Sequence, residues 1–130
     1  MGMRMSIVGL DHFNLRAPRP LLEQLKEFYC AVLGLSQGER PPLRSAGYWL
    51  YAGTVCILHL SEAAPDEERS APGSTTFDHI ALTCTDRPEM EARLKRNNIA
   101  FRVGTVPVLG IIQLFLQDPA GNGVELSFKE

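Results

Sequence analysis

Two short stretches, Asp11-His12-Phe13-Asn14-Leu15 and Asp78-His79-Ile80-Ala81-Leu82, share the pattern Asp-His-x-x-Leu. The correspondence reaches the far end of each half, where His59-Leu60-Ser61 aligns with Glu125-Leu126-Ser127 after the loss of one residue. A duplicated unit therefore sets His12, His59, His79 and Glu125 at equivalent positions, and donors of this kind can hold a metal. Neutral imidazoles with a single carboxylate suit a borderline divalent ion, Zn, Ni, Co or Fe(II), whereas Ca or Mg would want more oxygen ligands. A lone histidine on a strand is more often a hydrogen-bonded packing residue. Here all 3 histidines fall at repeat-related positions beside a carboxylate, which favours the metal reading.

Donors converge only if rigid elements hold them on one face. The first and last strands of each unit must then be neighbours, giving one half-site of His12 with His59 and another of His79 with Glu125. Arg16 shares the His12 face, where its guanidinium could grip a substrate carboxylate bidentately. Trp49 and Phe115 occupy equivalent positions in the third strands and could wall a substrate pocket, although core or dimer packing is the plainer role. Asp11 and Asp78 could orient the imidazoles. Alternation along strands beginning at Ile7 and Phe77 points them away from the histidine face, which favours a backbone or turn role. Tyr29, Tyr48 and Tyr51 carry no spacing signal.

The elements that must position these residues are legible in outline. A half-buried strand over 7–15 would point Leu10, Phe13 and Leu15 inward. After Pro18 and Pro20, the spacing of Leu21, Leu22, Leu25, Phe28, Tyr29, Val32 and Leu33 predicts an amphipathic helix ended by Gly34 as a left-handed cap. A short irregular strand falls within 36–46, and a hairpin over 47–52 and 55–60 turns at Gly53-Thr54. In the second half a strand over 77–84 precedes Asp86, which with Glu89 resembles a capping box opening a helix through about Asn97. Strands over 101–106, 110–117 and 123–128 follow, the last two joined by the turn Asp118-Pro119-Ala120-Gly121-Asn122. Each half reads β-α-β-β-β. The fold class is α+β, one domain over 1–130 built of modules at about 5–62 and 76–130, with a polar connector over 63–75.

Composition limits the partners. A formal net charge of −2 and no cluster of Lys and Arg interleaved with aromatics argue against nucleic acid. No apolar run is long enough to span a bilayer and no cleavable leader is evident, so a cytoplasmic protein without membrane contact is expected. Cys30, Cys56 and Cys84 are odd in number and share no close spacing, so they are read as reduced, buried small hydrophobes rather than as a disulfide framework or zinc knuckle.

With paired modules and four repeat-related donors, the chain resembles the vicinal oxygen chelate superfamily of glyoxalase I, methylmalonyl-CoA epimerase, extradiol dioxygenases, and fosfomycin and bleomycin resistance proteins. The resemblance rests also on Phe28-Tyr29-Cys30-Ala31-Val32-Leu33-Gly34-Leu35 and on Leu116-Gln117-Asp118-Pro119-Ala120-Gly121-Asn122-Gly123-Val124-Glu125-Leu126, and covers nearly the whole chain. It implies a glyoxalase-like domain whose curved mixed sheet surrounds a metal cleft, with His12, His59, His79 and Glu125 as ligands and a homodimeric assembly. It further implies a lyase or isomerase acting on a small vicinal-oxygen substrate through a metal-stabilised enolate, with Glu125 as the base. Glyoxalase I is the nearest member, because His12-Phe13-Asn14-Leu15-Arg16 is similar to its first-strand pattern, in which the arginine grips glutathione. His59 departs from the glutamate usual there, and no asparagine follows it in Ser61-Glu62-Ala63. Three neutral imidazoles and one carboxylate would leave a divalent site at about +1, a stronger Lewis acid than two His with two Glu. The alternatives are an Fe(II) extradiol-type dioxygenase, for which no spare histidine remains, and a metal-free antibiotic-binding protein of bleomycin-resistance type.

Overall fold

The computed structural model describes residues 6–71 and 73–130. The first module runs β1 (Phe13–Ala17), α1 (Arg19–Glu27), β2 (Ser36–Gly38), β3 (Gly47–Ala52) and β4 (Val55–Glu62). The second runs β5 (His79–Cys84), α2 (Arg87–Arg96), β6 (Arg102–Val106), β7 (Ile111–Gln117) and β8 (Gly123–Lys129). Each forms a mixed four-stranded sheet, ordered β1-β4-β3-β2 and β5-β8-β7-β6. First and last strands are parallel neighbours in both, β1 beside β4 and β5 beside β8, which is the adjacency the paired donors require.

What fixes the donors on one face is the burial of their neighbours. Leu58 and Leu60 flank His59, Val124 and Leu126 flank Glu125, and all four flanking residues are buried in one core shared by both modules. Burying each such side chain contributes about 1.5–3 kcal/mol. A slip of one residue would bury the donors and expose the leucines, so the register is strongly held.

α1 starts on Pro18 and Pro20, whose fixed φ suits a first turn, and buries Leu22 and Leu25. The sequence predicts one helix through Leu33, but the last turn, Phe28–Val32, is π-helical, with the Leu33 N–H reaching back to the Phe28 carbonyl at 3.0 Å. The wider turn lets Phe28, Tyr29 and Val32 all enter the core. Gly34, at φ +92°, ends the segment in the left-handed region as expected. On α2, Asp86 accepts the Glu89 N–H at 3.3 Å as the capping pattern predicts. The helix buries only Met90 and Leu94.

Three expectations are corrected. The first strand starts at Phe13, not Ile7, because the β4 ladder reaches β1 only from Phe13 opposite Leu58, and Leu10 is 77% exposed instead of packed. β5 likewise starts at His79 and leaves Phe77 exposed. The connector is not merely a polar link: Ala63 is buried, its N–H bonds to the Ala17 carbonyl at 2.8 Å, and Glu67 pairs with Arg16. The three cysteines are free but only partly buried. Among the described residues no helix is long and apolar enough to cross a membrane.

Candidate metal centre

His12 lies one residue before β1 and His59 opposite Asn14 in the ladder, so both project from the face away from the core. Their rings stack, with centroids 3.6 Å apart and planes inclined by 19°. Trp49, opposite His59 on β3, stacks at 4.1 Å on the same imidazole, which is therefore sandwiched between two rings. Beside the stack, Ser61 donates to Asn14 Oδ1 at 2.9 Å.

The second half-site is the counterpart on β5 and β8. His79 Nε2 lies 3.3 Å from Glu125 Oε1. Phe115, opposite Glu125 on β7, meets the His79 ring edge-on at 6.4 Å, and the Arg102 guanidinium sits over Phe115 at 4.4 Å. In both halves the preceding aspartate holds the lead histidine: Asp11 Oδ1 is 2.7 Å from His12 Nδ1, and Asp78 Oδ2 is 2.7 Å from His79 Nδ1. The turn role expected for Asp11 and Asp78 is thus corrected. Both precede the regular strands, where alternation does not govern side-chain direction.

The surroundings bias the imidazoles in opposite directions. Burial is the main reason that His59 is held below the usual histidine range, aided by His12 and Arg40 and opposed by Asp11. His79 is pushed up, first by its hydrogen bond to Asp78 and then by the charges of Asp78 and Glu125, against partial desolvation.

The donor types fit a borderline divalent ion. The 3.3 Å between His79 Nε2 and Glu125 Oε1 is also the separation of two ligands that each stand about 2.0–2.2 Å from one ion. The first pair fits less directly, since stacked rings carry their nitrogens in near-parallel planes and one ring must turn for both to face an ion. Among the described residues of one chain, no group of three or more His, Cys, Asp or Glu side chains is arranged to hold a metal ion by itself. A cavity of about 470 Å³ against His79 is lined by Phe77, Arg102, Phe115 and Asn122, and takes nothing from β1, β3 or β4. The two half-sites repeat one plan, a lead histidine held by its aspartate beside a second candidate donor on the last strand of the module.

Arg16 does not stand open on the His12 face. Its Nε and Nη2 donate to Glu67 at 2.7 and 2.8 Å. Trp49 and Phe115 are not core residues; both are partly exposed and each touches a site imidazole. Sequence reasoning missed Arg102 over Phe115, and Glu67 as the partner of Arg16. Neither has a local signal, because each contact joins elements whose register the sequence does not reveal.

The family model described as Glyoxalase/Bleomycin resistance protein/Dioxygenase superfamily matches residues 9–126. No curated protein matches the chain. Among solved structures, a glyoxalase family protein from Bacillus anthracis superposes with a TM-score of 0.74 at 22% identity, covering 98% of this chain and 100% of that one. TnmS3, an antibiotic binding protein from Streptomyces sp. CB03234, gives 0.69 at 21% identity, covering 98% and 100%. Lactoylglutathione lyase from Agrobacterium tumefaciens gives 0.67 at 20% identity, covering 95% and 96%. At such identities the superpositions speak for the fold alone, but the family model takes in both modules and all four donor positions, and the chain belongs to the glyoxalase/bleomycin resistance protein/dioxygenase superfamily.

Proposed function

We propose that the chain is a divalent-metal-dependent lyase or isomerase of glyoxalase type, acting on a small substrate with two adjacent oxygens. We infer further that the site joins the first half-site of one copy to the second half-site of another. The observation that carries the reading is the repeated clamp. Asp11 and Asp78 each accept Nδ1–H from the histidine that follows, which leaves Nε2 of both rings as the lone-pair donor. Packing alone gives no reason for the same clamp twice at repeat-related positions.

Assembly from two copies is supported by what one chain leaves open. β1 and β5 are edge strands, and on β5 the side chains of His79, Ala81 and Thr83 are exposed while Ile80, Leu82 and Cys84 turn inward. Setting β1 of one copy beside β5 of its partner would bring His12 and His59 to His79 and Glu125 twice in a symmetric dimer.

A bound divalent ion would supply Lewis acidity toward the two substrate oxygens. The chain's own residues do the rest. Glu125, with its side chain 13% exposed, is a shielded carboxylate that can accept a proton from the carbon beside a substrate carbonyl and return it to the adjacent carbon or to the opposite face. Trp49 and Phe115 supply flat walls on either side of that reaction, which narrow the orientations a substrate can take.

A second reading has its own observation. The stack of Trp49, His59 and His12 suits a flat conjugated ligand, as in a metal-free binding protein. Metal content by mass spectrometry on tag-free protein separates the two. Near-stoichiometric Ni, Zn, Co or Fe that is absent from His79→Ala is expected. No metal in either protein after reconstitution would overturn the enzyme reading. Thioester absorbance with methylglyoxal and glutathione, deuterium exchange at the α-carbon of an acyl thioester, and ring-cleavage colour with a catechol then sort the reactions.

A further inference from the structure

Arg40 stands in the loop between β2 and β3. Gly38, the last residue of β2, pairs with Trp49, whose ring stacks on His59, and Arg40 follows two residues later. The chain leading to it is pinned. A Cβ on Gly38 would fall 2.6 Å from Tyr51 Cε1, so glycine lets that ring lie against β2, and the Tyr51 hydroxyl donates to the Glu39 carbonyl at 2.7 Å. On the other side Pro41 and Pro42 restrict the backbone, and a residue before proline is kept out of the helical region. Arg40 Nη2 closes the loop by donating to the Ser45 carbonyl at 2.7 Å. The guanidinium is therefore held in place.

What this cation lacks is a counter-ion. Among the described residues no carboxylate pairs with Arg40, whereas Glu67 takes Arg16, and Glu23 and Glu62 take Arg19. Its Nε is buried without an acceptor, and among the described residues Nη1 donates to nothing. Buried donors are nearly always satisfied, so one left open calls for a reason. The charge also reaches the site, since Arg40 is one of the groups that weigh against protonation of His59. A fixed, unpaired and partly shielded cation raises the potential beside the Trp49–His59 stack, which favours a negative ligand.

From this arrangement we propose that Arg40 selects a negatively charged ligand for the first half-site, a small carboxylate with a flat body. The carboxylate is held on the open Nη1 side of the guanidinium, and the body lies against Trp49. The role falls to Arg40 and not to Arg16 because Glu67 already occupies Nε and Nη2 of Arg16. The inference deepens the proposed function, on whose reading of His59 as a site residue it rests, by naming the charge of the substrate.

Trp49 is the only tryptophan in the chain, so its indole N–H gives one NMR signal that reports on this half-site. The test titrates benzoate into EDTA-treated protein while following that signal, with benzamide as the neutral control. A saturable shift with benzoate is expected, with benzamide at least about tenfold weaker. Arg40→Gln should weaken benzoate at least about tenfold. Arg40→Lys, which keeps the charge but loses the planar fork, should weaken it at least about threefold. Arg44→Gln, at an exposed arginine of the same loop, is expected to bind as wild type. The proposal is overturned if benzoate leaves the Trp49 signal unmoved at millimolar concentration, if benzamide binds as well, or if either Arg40 variant binds benzoate like wild type. An equal loss in Arg44→Gln would also overturn it. Metal content, measured separately on untreated protein, is expected to be the same in Arg40→Gln and wild type. Metal uptake without benzoate binding would overturn this inference and leave the enzyme reading standing. Benzoate binding in a protein that takes up no metal would support it and overturn only the enzyme reading.

Discussion

The Tyr29 hydroxyl donates to Asp118 Oδ2 at 2.8 Å and so ties the π-turn after α1 to the turn that launches β8. Asp118 is buried and also accepts from the N–H groups of Ala120 and Asn122 and from Asn122 Nδ2, at 2.9 to 3.0 Å. Burial first, and then the Asp118 charge, hold the Tyr29 hydroxyl far above the usual tyrosine range, so it stays a donor. Removing it leaves a buried carboxylate with one donor fewer. Tyr29→Phe is expected to cost about 1–2 kcal/mol in urea unfolding, with metal stoichiometry unchanged. Loss of metal without loss of stability would mean that the contact serves the site and not the fold.

The clamp on His79 predicts a different pattern. Asp78→Asn removes the charged acceptor at Nδ1, and the ring loses its fixed tautomer and part of its basicity. Metal affinity should fall by about 10–100-fold with little change in folding stability. A competitive chelator titration reads this directly, and Asp11→Asn should behave alike. Wild-type affinity in both variants would leave the aspartates without the orienting role.

Gly123 makes a related prediction by sterics. It pairs with His79 in the β5–β8 ladder, and a Cβ built on it would fall 2.4 Å from the Asp78 carbonyl oxygen and 3.0 Å from His79 Cβ. Gly123→Ala must therefore push the Asp78-His79 segment off β8, costing about 1–3 kcal/mol and widening the gap between His79 and Glu125. The check is thermal unfolding together with metal content, and both should fall.

The Arg16–Glu67 pair predicts acid sensitivity. Its hydrogen bonds to Arg16, above all, hold the Glu67 carboxyl down at about 2, against an ordinary value of 4.5. A depressed carboxyl stabilises the fold fully above its unfolded value, and that stability is lost as pH falls through the window from about 4.5 to about 2. Wild type should therefore lose more stability than Glu67→Gln across that window, and the two should run parallel above it. Urea midpoints at pH 7, 4 and 2.5 give the comparison, and parallel curves throughout would show that the pair does not couple to folding.

Much of this was legible because the sequence writes its alternation plainly where burial is strong. In Leu58-His59-Leu60 and Val124-Glu125-Leu126 a polar residue alternates with two buried apolar ones, which is the strand pattern expected there, and Asp86 with Glu89 forms the expected cap. The direction of Asp11 was misread because Ile7, Val8 and Leu10 resemble a strand but have no ladder partner among the described residues and stand exposed. The π-turn at Phe28 was invisible, since a helix that widens by one residue keeps nearly the same apolar spacing. Contacts across modules, such as Tyr29 with Asp118 and Arg93 with the Val32 carbonyl, depend on docking that no local pattern encodes. The same applies to whether His12 and His79 meet in one chain or across two.

That last question has a decisive mixing experiment. If each site takes its first half from one copy and its second half from another, a dimer of one His12→Ala chain with one His79→Ala chain contains one doubly damaged site and one intact site. Each variant alone should bind no metal at native affinity. Unfolding the two together in equal amounts and refolding them should restore binding at about a quarter of all sites, because about half of the randomly paired symmetric dimers are mixed and each carries one intact site of two. An intrachain site predicts no recovery at any mixing ratio, since every chain then carries its own lesion. Light scattering on the same samples must show dimers, because recovery in a monomer would require a different explanation of the edge strands β1 and β5 left open in a single chain.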